Sequence, residues 1–64
     1  MQPFKVKYKA GNKMYVMKTD IIPRVGEPVI LLDEFDNVIM SGRVLKVTHA
    51  LHQVKGQRTT VHLS

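Results

Sequence analysis

The chain has 64 residues, no cysteine, and a net charge of +5 from ten Lys/Arg against five Asp/Glu. That length means one domain that buries only roughly 60% of the surface its unfolded form exposes. The missing cysteines exclude disulfides and cysteine-rich zinc sites. A small core without such staples depends on tight packing or on a partner surface, so self-association is an expectation. No run approaches the ~18 apolar residues of a membrane span. Met1, Gln2, Pro3, Phe4 and Lys5 lack the apolar core of a signal peptide, so a cytoplasmic protein with no membrane partner is expected.

Charge is unevenly spread. Residues 1–18 carry +5, residues 19–42 carry −4 and residues 43–64 carry +4. A surface segregated in this way points to an anionic partner for part of it.

In chain order, Phe4-Lys5-Val6-Lys7-Tyr8-Lys9-Ala10 alternates strictly between apolar residues and lysines, the period of a half-buried strand. Gly11-Asn12 is a turn pair tolerant of positive φ, so residues 14–18 return antiparallel. With Met14 and Val16 inward, Lys13, Tyr15 and Met17 would share the outer face with the three lysines. Ile21-Ile22-Pro23-Arg24-Val25-Gly26-Glu27-Pro28 is a rigid turn, since both prolines fix φ and Gly26 can take positive φ. Val29 to Leu32 then reads as a short buried strand. The polar stretch at 33–37 reads as a hairpin loop. Val38-Ile39-Met40 begins a fourth strand, interrupted at Ser41-Gly42 by a bulge or bend. Val44, Leu45 and Val47 break strict alternation, which again indicates a kink. A polar loop at 52–57 precedes a closing strand, with Thr59, Val61 and Leu63 on one face. No stretch sustains helical spacing. The expected fold is all-β: a small five- or six-stranded antiparallel barrel in meander order.

The pattern Gly26-x-x-Val29-x-Leu31 followed by Gly42-x-Val44-x-x-Val47 resembles the skeleton of SH3-like small barrels, including those with the KOW motif. Where that motif carries glycines and basic residues, this chain has Asp33, Glu34 and Asp36. The whole chain is also similar to short uncharacterised phage and bacterial proteins that carry a Pro-Arg-Val-Gly-acid turn, here Pro23 to Glu27. They share the spacing of Val44, Val47 and His49 and of Thr59, Val61 and Leu63. The resemblance implies an SH3-like fold and an accessory viral role in the cytoplasm of a host cell.

Three groups of residues could carry chemistry. Lys5, Lys7, Lys9 and Lys13 with Tyr15 would form a positive face with one aromatic, extended by Arg43 or Arg58. Phosphates need cations along their path and bases need flat surfaces to stack on, so this composition suits single-stranded DNA or RNA. The plain alternative is that the lysines only solvate the face and guard an edge strand. His49, His52 and His62 could in principle give three metal nitrogens, but a strand residue and a loop residue three apart do not reliably converge, so no metal is assigned. Asp33, Glu34 and Asp36 flank Phe35 on a loop, where an aromatic either folds back as a lid or is offered to a protein. Nucleophilic catalysis lacks a motif around Ser41 or Ser64, and no phosphate loop or cofactor signature is present. The leading expectation is a non-catalytic protein-interaction module. It would bind a host or viral protein, or a second copy of itself, through a sheet edge or through Phe35, Asp33, Glu34 and Asp36. The alternative is a nucleic-acid module using the basic face.

Overall fold

The computed structural model describes residues 4–64, without the side chain of Phe4. The expectation about the first five residues therefore falls largely outside the described part. Five strands form: β1 (Phe4–Ala10), β2 (Lys13–Thr19), β3 (Pro28–Leu32), β4 (Val38–His52) and β5 (Gly56–Leu63). They make one curled sheet, a half-barrel, in the order β2-β1-β5-β4-β3.

The all-β, small-barrel expectation holds, and the meander does not. Hairpins join β1 to β2, β3 to β4 and β4 to β5, but β5 lies parallel to β1. The sheet is thus mixed, and β2 and β3, neighbours in sequence, stand at opposite edges. The reason is a face of β1 that one hairpin partner leaves half covered. Val6, Tyr8 and Ala10 need apolar neighbours on their second side, and Thr59, Val61 and Leu63 of β5 stand beside them in register. Residues 20–27 carry the chain from one edge to the other across the concave side, where Ile22 packs on the core.

Val6, Tyr8, Leu31, Met40, Val44, Val61 and Leu63 form that core. Burial pushes the Tyr8 phenol above its ordinary pKa. The buried hydroxyl of Thr59 bonds to Gln57 Nε2 at 3.0 Å and to His49 Nδ1 at 3.1 Å. Among the described residues no buried side-chain polar atom lacks a partner.

β4 is one long strand that serves two neighbours. Its first part pairs with β3 and its second with β5, with a register shift between Val44 and Lys46. The irregularity at Leu45 is the kink expected from the broken alternation. At that point Arg43 bonds sideways to Ser64, while Val44 exchanges bonds with Gly26 and Glu27. Gly42 is required there, because a Cβ would lie 2.6 Å from the Ser64 carbonyl oxygen and 3.1 Å from the Leu63 Cβ.

The turn at 24–27 is closed by Glu27 N–H donating to the Arg24 carbonyl at 3.1 Å, with Gly26 at φ 92. Positive φ at the third position of a turn is the requirement of type II, and glycine meets it at no steric cost. Arg24 N–H donates to Glu27 Oε1 at 2.6 Å, which fixes the acid of the turn in place.

Candidate nucleic-acid interface

The hairpin register decides which residues share a face. A two-residue loop at Gly11-Asn12 pairs Ala10 with Lys13, and the rest follows: Lys9 with Met14, Tyr8 with Tyr15, Lys7 with Val16, Val6 with Met17 and Lys5 with Lys18. Directly opposite residues point to the same side of a sheet. Tyr15 and Lys13 therefore stand on the core side with Tyr8 and Ala10, and Met14, Val16 and Lys18 join the lysines of β1 outside. This corrects the expected patch of Lys5, Lys7, Lys9, Lys13 and Tyr15. The error was parity: assigning Met14 and Val16 inward by their apolarity contradicts the register that the two-residue turn imposes.

Across β1 and β5, Lys7 lies beside Thr60 and Lys9 beside His62. Across β5 and β4, His62 lies beside Lys46, Thr60 beside Thr48 and Arg58 beside Ala50. The convex face thus carries Lys5, Lys7, Lys9, Lys18, Lys46 and Arg58 over four strands. All five acids lie instead in the two connections that flank β3, at 20–27 and 33–36. Segregation by charge, anticipated along the chain, is a segregation in space as well.

A cleft of about 340 Å³ opens on this face. Its lining includes Lys5 and Lys7 of β1, Val16 of β2 beyond them, Arg58 and Thr60 of β5, and Lys55 of the β4–β5 loop. Lys18, Lys46 and Lys55 were missed in sequence. Lys18 was recoverable from the turn length, but Lys46 and Lys55 reach the site only because β5 inserts between β1 and β4. Arg43, expected to extend the patch, is engaged elsewhere: its Nη1 donates to the Gly26 carbonyl at 2.6 Å, which ties β4 to the turn. Arg58 does join the face.

The three histidines do not converge. His49 faces the core side beside Thr59, and His62 faces outward with Nε2 3.4 Å from Thr48 Oγ1. His52 Nδ1 accepts the N–H groups of Val54 and Lys55 at 3.1 and 2.9 Å, closing the loop at 53–55. Among the described residues no group of three His, Asp or Glu could hold a metal ion.

Asp33, Glu34, Phe35 and Asp36 sit together at the tip of the β3–β4 hairpin. Asp33 Oδ1 accepts the N–H of Phe35 at 2.8 Å and of Asn37 at 2.9 Å. The Asn37 N–H, with smaller help from Phe35 and the Asn37 amide, holds the Asp33 carboxyl below its ordinary pKa against an opposing desolvation. Asp36 adopts φ 64, the left-handed position that follows the turn in a three-residue hairpin loop. Phe35 is 75% exposed, so it is not a lid.

Comparison with protein-family models, curated proteins and solved structures finds no match for this chain. No helix among the described residues is long and apolar enough to cross a membrane.

Proposed function

We propose that this protein is a non-catalytic binding module, SH3-like in its use of a small curled sheet, whose convex face holds the phosphate backbone of a single-stranded nucleic acid. The observation that carries the reading is a four-strand face bearing six cations and no acid, with a cleft whose lining includes four cations. Successive lysines on β1 stand about 6.7 Å apart, twice the rise of a strand residue, so one extended polyanion meets all three. A cleft suits a strand that can bend into it better than a rigid duplex. With Tyr15 on the other face, no tyrosine or tryptophan of the described residues stands on this one and His62 supplies a ring there, so contacts go chiefly to phosphate and sequence preference is weak.

Fluorescence anisotropy with a labelled single-stranded oligonucleotide tests this. Affinity should fall steeply with salt, and Lys7→Gln should lower the log–log salt slope by about one, whereas Lys13→Gln leaves it unchanged. An absence of binding at low salt to DNA and RNA alike would overturn the reading.

A second reading rests on Phe35, which its acid-braced turn presents to solvent. A rigidly held aromatic ringed by acids suits a basic protein surface, consistent with the accessory viral role implied by the turn at Pro23 to Glu27. Cross-linking from position 34 in a host lysate should then capture one protein that Phe35→Ser loses.

A further inference from the structure

We infer that copies of this chain join edge to edge, with β2 of one copy pairing with β3 of the next. The order β2-β1-β5-β4-β3 leaves one free edge on each of these strands in every molecule. The two edges are unlike in charge. β2 begins at Lys13 and has Lys18 one residue from its end, while β3 is preceded by Glu27 and followed by Asp33 and Glu34. Lys13 and Lys18 stand roughly 17 Å apart along an extended strand, and Glu27 and Asp33 roughly 20 Å, so both ends of one edge meet opposite charge on the other.

The edges also match in apolar surface. Met14 is 60% and Val16 54% exposed on the outer face of β2, and Ile30 is 64% and Leu32 43% exposed on the outer face of β3. A shared ladder places these side chains beside each other on one face, as cross-strand pairs. The backbone is ready for it. The Glu27 carbonyl and the Asp33 N–H both bond toward β4. Alternation therefore turns the polar groups of Ile30 and Leu32 to the open side, while Pro28 offers its carbonyl there but no N–H, so the new ladder runs chiefly through Ile30 and Leu32.

Like edges repel. Two β2 strands bring lysines together and two β3 strands bring acids together, so the pairing is heterologous and propagates as a ring or a filament. The inference does not rest on nucleic-acid binding, because it uses the sheet edges and no phosphate.

Sedimentation velocity over a wide concentration range, in the absence of nucleic acid, tests it. The wild-type mean mass should rise at least about twofold above one chain and fall back as salt is raised. Met14→Lys should remain one chain, and so should Ile30→Lys. An equimolar mixture should form a one-to-one dimer and stop, since only the intact β2 edge of one and the intact β3 edge of the other remain. Should either lysine variant lose its β-type circular dichroism, Met14→Thr and Ile30→Thr take its place. A wild-type chain that stays single at every concentration overturns the inference. So does a mixture that stays single, or a single variant that still dimerises, which would mean pairing of like edges.

Discussion

At position 42 the constraint is space. The nearest atoms are backbone and the root of a side chain, which cannot swing away as a flexible side-chain end would. Gly42→Ala should therefore destabilise the fold by about 1–3 kcal/mol, the usual cost of forcing volume into a closed contact. Urea unfolding would show it as a lower midpoint with an unchanged slope. At position 36 the constraint is the backbone angle. Asp36 holds a left-handed φ that glycine takes without strain, so Asp36→Gly should raise stability by about 0.5–1 kcal/mol. Asp33 adds a pH dependence of known sign. Its folded pKa lies below its unfolded one, so its contribution is complete above the unfolded carboxylate value of about 4 and is lost as pH falls through the folded value. Thermal melts of Asp33→Asn should lose that acid-side slope, and an unchanged slope would show that another carboxylate causes it.

At the scale of elements, the β1–β2 hairpin places Lys5 directly opposite Lys18. Like charges in that position cost stability, and an anion bound across them relieves the repulsion. Lys18→Glu should accordingly raise the melting temperature slightly while weakening oligonucleotide binding. A variant more stable and equally good at binding would remove Lys18 from the interface. Much of this element was legible in the sequence. The alternation of β1 identified Val6, Tyr8 and Ala10 as the inner set, and Gly11-Asn12 marked the turn. Of that pair only Gly11 uses positive φ, which by sign is the type II′ pattern. The face of β2 was misread because the apolarity of Met14 and Val16 outweighed a register that the same turn had already determined. β4 was legible at its kink but not in its length, since its continuity depends on changing partners at Arg43 and Val44.

At the scale of the molecule, seven large apolar residues are buried and twelve are exposed among those described, so more large apolar side chains meet solvent than form the core. That imbalance is the physical ground for expecting a partner. The parallel pairing of β1 with β5 joins the two ends of the chain, so long stretches must be ordered before this contact forms. Refolding should therefore take milliseconds to seconds rather than microseconds, measurable by stopped-flow with Tyr8 and Tyr15 as reporters.

Side-chain alternation, turn residues and the position of charges along the chain are local quantities, so the sequence by itself determined that this is a strand protein, where it turns, and that its acids cluster around β3. Which strand lies beside which is decided by long-range burial, because a strand's pattern states that it needs a neighbour without stating whose. The tertiary structure alone therefore set β5 between β1 and β4. It brought Lys46, Lys55 and Arg58 alongside the lysines of β1 and left β2 and β3 as two unlike open edges.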